Sequence, residues 1–125
     1  MLLAFAVPFA CVGCSVGEKL TAIGYEQISG AEARALMESE SGYIIIDART
    51  QSEYDEGHIP GAILIPEYEI ASRAENELPD KNQLILIYCR SGRRSKIAAE
   101  ELVKLGYTNV KEFGGIIDWK YDIVK

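Results

Sequence analysis

The chain has 125 residues, of which 48% are hydrophobic and 26% are charged, and its formal net charge is −6. This size and composition are typical of one compact globular domain that can bury a core without disulfides, and they argue against a disordered chain. An acidic chain also lacks the broad basic surface that nucleic-acid binding requires, so we expect no nucleic-acid partner.

The first sixteen residues, MLLAFAVPFACVGCSV, contain no charged side chain. This run is shorter than the ~20 apolar residues that a membrane-spanning helix needs, but it fits the apolar core of a secretory signal. The VGC sequence that ends at Cys14 resembles the cleavage box of bacterial lipoproteins, in which the cysteine is lipidated and becomes the mature N-terminus. The resemblance implies a signal peptide over residues 1–14, a tether over residues 15–20 and an extracytoplasmic protein, either periplasmic or held on the membrane by its N-terminal lipid alone.

Two other interpretations of this segment stay open. It would also suit a buried N-terminal strand or helix. Cys11 and Cys14 form a CxxC pair, a spacing found in redox and metal sites, but the sequence has no second ligand pair and its one histidine, His58, lies far along the chain. If Cys14 is lipidated and Cys11 is removed, Cys89 is the sole free thiol of the mature protein, and no intramolecular disulfide can form.

From residue 21 onward, short β patterns alternate with amphipathic helical patterns. This alternation predicts an α/β fold with a mostly parallel central sheet and helices on both faces. Ser29 and Glu32 have capping-box spacing, which predicts a helix through about Ser39. A second capping box, Thr50 with Glu53, predicts a short helix that ends at Gly57. The apolar runs and helical patterns predict strands at residues 43–47, 62–65, 84–88 and 110–113, and helices at residues 67–76, 93–105 and 116–120.

The sequence CRSGRRS, residues 89–95, is called the Cys89 loop below. It lies where the most apolar strand pattern gives way to a helix, at the carboxyl edge of the predicted sheet, where α/β folds bind their ligands. Ser91, Gly92 and Ser95 are small or flexible, so the backbone can curl around the sulfur of Cys89 and direct N–H groups at it.

Three arginines follow Cys89 within the loop: Arg90, Arg93 and Arg94. Together with the backbone amides and the positive end of the following helix, they should favour the thiolate over the thiol and attract an anionic substrate. The alternative is a buried structural cysteine, which would not need three arginines and a glycine directly after it.

The Cys89 loop resembles the active-site loop of a single-domain rhodanese. DARTQSEYDEGHIPGA, residues 47–62, resembles that family's upstream signature, and FGGIIDW, residues 113–119, resembles its GG pair and following tryptophan. The resemblance covers about residues 22–121 and implies a rhodanese domain over residues 21–125.

The resemblance also implies a function. Cys89 would attack the outer sulfur of thiosulfate or a similar small anionic donor, carry it as a persulfide, and pass it to cyanide or a thiol, with no cofactor and no metal. The backbone amides of residues 90–95 would cradle the persulfide, and Arg94 would bind the anionic end of the donor. We expect a monomer.

The upstream signature contributes three polar candidates. Asp47 ends the strand predicted beside the Cys89 strand, so Asp47 and Arg49 are expected either to position the loop or to form a structural pair beneath it. His58 lies in the HIPGA turn, and we interpret it as a hydrogen-bonded structural residue in preference to a general base. Glu53 is expected to act as a helix cap.

Two other functions stay open. Cysteine-dependent phosphatases use a similar strand, loop and helix, with the pattern HC, five residues, then Arg; here Tyr88 replaces the histidine, Ser95 stands where the arginine is expected, and Arg94 comes one residue early. The shorter loop suits a single sulfur better than a phosphate group, which disfavours phosphatase or arsenate reductase activity. A non-catalytic rhodanese-like binding module is the second alternative, against which the retained Cys89 argues.

Overall fold

The computed structural model describes residues 24–125. The predicted signal peptide, its Cys14 and the tether lie outside the described residues. The predicted start of the domain at residue 21 lies outside them as well.

A parallel sheet forms the centre of the described chain. Its strands are Glu26–Gln27 (β1), Ile44–Asp47 (β2), Ile63–Leu64 (β3), Ile85–Cys89 (β4) and Val110–Gly115 (β5). Their order is β1-β5-β4-β2-β3, and every neighbouring pair within the sheet is parallel. The helices are Gly30–Ser39 (α1), Gln51–Glu56 (α2), Ile70–Glu77 (α3) and Arg93–Lys104 (α4), with 3-10 turns at Glu67–Glu69 and Ile116–Asp118. The predicted α/β fold is confirmed.

Both predicted capping boxes are present. The Ser29 hydroxyl accepts the Glu32 amide at 3.0 Å, and the Glu32 carboxylate accepts the Ser29 amide at 2.9 Å. Thr50 and Glu53 make the same reciprocal pair at the start of α2. These contacts satisfy amide donors that a helix leaves free in its first turn, so α1 and α2 begin at defined residues.

Within residues 24–125, no helix combines the length and the apolar character needed to cross a bilayer.

Several elements differ from their predictions: β5 extends to Gly115, β3 is shorter than predicted, and the helix predicted over residues 116–120 is the 3-10 turn Ile116–Asp118. β1 was not predicted, because two residues are too few to show an alternating pattern. The helix predicted over residues 67–76 is divided into the 3-10 turn Glu67–Glu69 and α3. β4 extends one residue further than predicted, so Cys89 is the last residue of the strand rather than the first residue after it.

The core has two parts, one on each face of the sheet. Ile85, Ile87 and Cys89 of β4 pack with α3 and α4, whereas Leu86 and Tyr88 pack with α1 and Phe113. All five residues of β4 are buried, as expected for the central strand of a parallel sheet covered on both faces. Consecutive side chains of a strand point to opposite faces, so the sulfur of Cys89 lies on the α3 and α4 side and the Tyr88 ring on the other.

Candidate active site

The Cys89 loop connects β4 directly to α4. The Gly92 amide donates a hydrogen bond to the Cys89 Sγ at 3.0 Å, and Cys89 is 1% exposed. Gly92 immediately precedes α4 and has φ of +113°, a left-handed conformation that other residues adopt only with strain. The loop therefore turns back on the sulfur at the glycine predicted to allow it, at the positive end of a twelve-residue helix.

The GG pair at the end of β5 receives the loop. A Cβ added to Gly115 would lie 2.0 Å from the Arg90 carbonyl oxygen and 2.6 Å from the Ser91 Cα, so no other residue fits there without displacing the loop. The Ile117 amide donates to the Arg90 carbonyl at 3.3 Å. The FGGIIDW segment, residues 113–119, thus forms the surface that contacts the Cys89 loop.

Ser95 lies at the bottom of the loop and is completely buried. Its Oγ lies 3.3 Å from the Cys89 Sγ and 2.5 Å from Oε2 of Glu112. Glu112 is 2% exposed, and its Oε2 also accepts the Gly114 amide at 2.9 Å. The Glu112 carboxyl group therefore lies beneath the loop, and the Ser95 hydroxyl lies between it and the Cys89 sulfur.

Glu112 is not among the site residues that the sequence motifs predict. The signal that marks it is its position on β5, where Val110 and Glu112 are buried and Lys111 between them is only partly buried. A glutamate at an inward position of a strand is unusual, because an ionised side chain is expensive to bury unless it is hydrogen-bonded. Such a residue two positions before the GG pair is a candidate for the site.

Arg94 is bound by Glu53. Its guanidinium donates to both carboxylate oxygens, at 2.8 and 3.0 Å. These hydrogen bonds lower the pKa of Glu53 from 4.5 to about 2, and the carboxylate raises the pKa of Arg94. Glu53 is thus a helix cap, as expected, and also a partner of the loop. Binding of the donor by Arg94 stays a prediction.

Asp47 and Arg49 form a buried ion pair on the Tyr88 side of the sheet. The Arg49 Nη2 donates to Asp47 at 2.7 Å and to the Gly57 carbonyl at 2.7 Å. The Tyr88 hydroxyl donates to Asp47 at 2.7 Å and accepts the Ile59 amide at 3.0 Å. Burial, followed by the charge of Asp47, raises the pKa of Tyr88. This network joins β2, β4 and the HIPGA turn.

His58 contacts its own turn. Its Nδ1 lies 2.9 Å from the Tyr54 carbonyl, and its ring stacks on the Tyr54 ring with centroids 3.7 Å apart. The backbone of His58 pairs with Val124 in an isolated antiparallel bridge. These contacts place His58 within its own turn, and its structural role stays an interpretation.

The remaining loop residues lie at the surface. Arg90, Ser91 and Arg93 are exposed, and Arg94 is partly buried. Two surface clefts of about 310 and 340 Å³ lie beside α1, and no residue of the Cys89 loop lines either of them. In the part of the chain that the structure describes, no group of three or more His, Cys, Asp or Glu side chains is placed to hold a metal ion.

Comparison with known proteins gives the family. The rhodanese-like domain family matches residues 29–122, a range that includes the Cys89 loop, the upstream signature and the GG pair. The chain belongs to the rhodanese family.

Relatives of this rhodanese carry names from sulfur transfer. It is 42% identical over 73 residues to the Thiosulfate sulfurtransferase PspE of Escherichia coli K12, a match that covers 58% of this chain and 70% of that protein. It is 34% identical over 97 residues to the Thiosulfate sulfurtransferase GlpE of Coxiella burnetii, with 77% and 88% covered. Among solved structures, a rhodanese with anions from E. coli is similar at a TM-score of 0.63 and 40% identity, covering 66% of this chain and 98% of that one.

Proposed function

We propose that this rhodanese is a sulfurtransferase that moves sulfane sulfur from thiosulfate, or a similar anionic donor, to cyanide or a thiol through a persulfide on Cys89. The observation that carries the proposal is the Gly92 amide at 3.0 Å from a buried sulfur at the N-terminal end of α4. The names of the PspE and GlpE relatives support the reaction class.

In the first step, the Cys89 thiolate attacks the outer sulfur of thiosulfate. A new S–S bond forms at the Sγ, the S–S bond of thiosulfate breaks, and sulfite leaves with the bonding electron pair. The persulfide now carries its negative charge on the outer sulfur. Backbone amides and the positive end of α4 favour an anion at this position without a metal ion.

In the second step, the carbon of cyanide attacks the outer sulfur of the persulfide. The S–S bond to Cys89 breaks, thiocyanate leaves, and the Cys89 thiolate is regenerated. A thiolate acceptor would take the same sulfur and leave as a persulfide anion. Donor and acceptor need never be bound together, so a two-step exchange is expected.

Arg90 and Arg93 would attract the donor from solvent, since both are exposed at the mouth of the loop. Arg94 would contact the anionic end of the donor while keeping one edge of its guanidinium on Glu53. A guanidinium has five N–H donors, and Glu53 uses two of its nitrogens.

The sequence of the Cys89 loop disfavours the phosphatase alternative. Ser95, which stands where phosphatases carry their arginine, offers no positive charge. We therefore expect no hydrolysis of p-nitrophenyl phosphate under conditions in which thiosulfate reacts.

The test is mass spectrometry of the protein after incubation with thiosulfate. The peptide that contains Cys89 should gain the mass of one sulfur atom, cyanide should remove that mass, and thiocyanate should appear in equal amount. Cys89→Ser provides the control and should show neither change. Thiocyanate formation by Cys89→Ser at the wild-type rate would refute the assignment.

A further inference from the structure

The Ser95 hydroxyl lies between two groups that can each use its proton. The Cys89 Sγ is 3.3 Å from its Oγ on one side, and the Glu112 Oε2 is 2.5 Å away on the other. Carbonyl oxygens of Gly92 and Gly114 lie further from the Oγ than Glu112 does, at 3.1 and 3.4 Å. A hydroxyl has one proton, so it can donate to only one of these acceptors at a time.

Distance and charge select Glu112 as the acceptor. Hydrogen bonds from a hydroxyl to a carboxylate are short and roughly twice as strong as neutral ones, and the contact to Oε2 is the shortest of the four. The same Oε2 also accepts the Gly114 amide at 2.9 Å. The Ser95 proton therefore points away from the sulfur, and a lone pair of its oxygen faces the Sγ.

No cation neutralises this carboxylate within the described residues. The ion pairs there involve other acids, and Arg94 of the loop helix is bound to Glu53. Glu112 thus places a buried negative charge beneath the loop, whereas the loop arginines and backbone amides attract anions. At the Cys89 Sγ, the carboxylate therefore opposes negative charge and the loop favours it.

We propose that Glu112 is a positioning residue that withdraws the Ser95 hydroxyl proton from Cys89 and opposes negative charge on the Sγ. In the empty enzyme, this restraint leaves the Sγ without the Ser95 hydrogen bond. Removal of this restraint makes the Sγ more anionic and more reactive towards small electrophiles. This part of the proposal does not depend on which reaction Cys89 catalyses.

A second consequence rests on the proposed function. When Cys89 takes up a sulfur, the negative charge moves from the Sγ to the outer sulfur, one S–S bond of about 2.05 Å away. The donor arrives from solvent and Glu112 is buried beneath the loop, so this shift carries the charge away from the carboxylate. Glu112 therefore destabilises the empty thiolate more than the persulfide and favours the loaded enzyme.

Other charged or titratable groups lie on the elements around Cys89, and a pH measurement must separate Glu112 from them. They are Arg90 and Arg93 of the loop, Arg94 of α4 with Glu53 of α2, Glu67 of the 3-10 turn, and Tyr25 before β1. Glu112→Gln changes one charge and leaves the others in place.

The experiment measures alkylation of Cys89 by iodoacetamide between pH 5 and 10 for wild type and Glu112→Gln. Iodoacetamide is neutral, so surface charge does not steer it, and it reacts with the thiolate. The midpoint of the Glu112→Gln profile should fall by about one pH unit, which corresponds to about tenfold faster alkylation below the midpoint. Glu26→Gln is the matched control, because Glu26 lies on the same sheet but pairs with Lys111, and it should leave the midpoint unchanged.

A second variant covers the case in which Glu112→Gln does not fold. Glu112→Asp retracts the carboxylate by one methylene, releases the Ser95 hydroxyl to the sulfur, and should lower the midpoint by a smaller amount. In a Ser95→Ala background, the effect of Glu112→Gln should shrink, because part of it passes through the hydroxyl. An unchanged or raised midpoint in a folded Glu112 variant overturns the proposal.

The loading equilibrium is measured separately, at a pH above both alkylation midpoints. Mixtures of thiosulfate and sulfite set the fraction of Cys89 that carries a sulfur, and mass spectrometry reports it. Glu112→Gln should need a higher ratio of thiosulfate to sulfite for half loading than wild type, and an equal or lower ratio contradicts the second consequence. If neither protein is loaded, the proposed sulfur transfer fails, whereas the alkylation profiles still decide the role of Glu112.

Discussion

Arg94 and Glu53 bind each other through two parallel hydrogen bonds of 2.8 and 3.0 Å, although 41 residues separate them in the chain. Glu53 also closes the capping box of α2, and Arg94 lies in the first turn of α4. The pair therefore joins the helix that follows β2 to the helix that carries the Cys89 loop. A bidentate contact of this kind fixes the direction of the guanidinium as well as its distance.

Loss of this pair should destabilise the fold in a pH-dependent way. Because the pKa of Glu53 falls from 4.5 to about 2 in the folded chain, its ionisation stabilises the folded state above about pH 4.5, and this contribution is lost as the pH falls towards 2. We expect Glu53→Gln to lower the free energy of unfolding at pH 7 by about 1–2 kcal/mol, measured in urea. The difference from wild type should shrink between pH 4.5 and 2. Glu38→Gln, which breaks the exposed pair with Arg34, is the control and should change little.

Arg94→Ala should weaken the use of thiosulfate more than Arg73→Ala. Arg94 belongs to the Cys89 loop, whereas Arg73 forms ion pairs with Glu69 and Glu77 at the surface of α3. A lost charged hydrogen bond to the donor corresponds to about 1.5–3 kcal/mol in kcat/KM for thiosulfate. Equal losses in both variants would mean that the arginines act by general steering, and 1 M salt should then remove the difference from wild type.

Gly115→Ala should disrupt the loop, because its Cβ would overlap the Arg90 carbonyl at 2.0 Å. We expect loss of thiocyanate formation and a lower free energy of unfolding by about 1–3 kcal/mol or more, since backbone has to move. Gly114→Ala is the neighbouring control: its φ of +88° brings backbone strain, but no atom lies within 4 Å of the added Cβ. Gly114→Ala should keep its activity at a stability cost of about 1–2 kcal/mol. The account of the GG pair fails if both variants behave alike.

The N-terminal expectation is tested in cells. If the VGC sequence is a lipoprotein cleavage box, the protein should fractionate with membranes and carry a lipid on Cys14, detectable as a mass increase of the N-terminal peptide. Cys14→Ala should abolish both the lipid and the membrane association. Recovery of the native protein from the cytoplasm with residues 1–14 still attached would contradict export and anchoring together.

The local features of the fold were predictable because neighbouring residues determine them. Both capping boxes, the apolar strand before Cys89 and the glycine that turns the Cys89 loop can be read from spacings of a few residues. The contacts that complete the site join distant residues: Arg94 meets Glu53, and Ser95 meets Glu112 across 17 positions. Such pairs depend on strand order and register. In the sequence, Glu53 matches the ordinary role of a helix cap, and the unusual inward position of Glu112 depends on which residues of β5 face the core.

Tyr88 and Cys89 are adjacent in β4, yet their side chains lie on opposite faces of the sheet. The Tyr88 hydroxyl is held by Asp47 and by the Ile59 amide. These hydrogen bonds fix the position of β4 at the residue before Cys89, on the face of the sheet opposite the sulfur. The exposed loop residues Arg90, Ser91 and Arg93 take no part in these hydrogen bonds. Substitutions at these three positions, in evolution or by design, can therefore change the preference for the sulfur donor. The hydrogen bonds of Tyr88 that fix β4 next to Cys89 would stay the same.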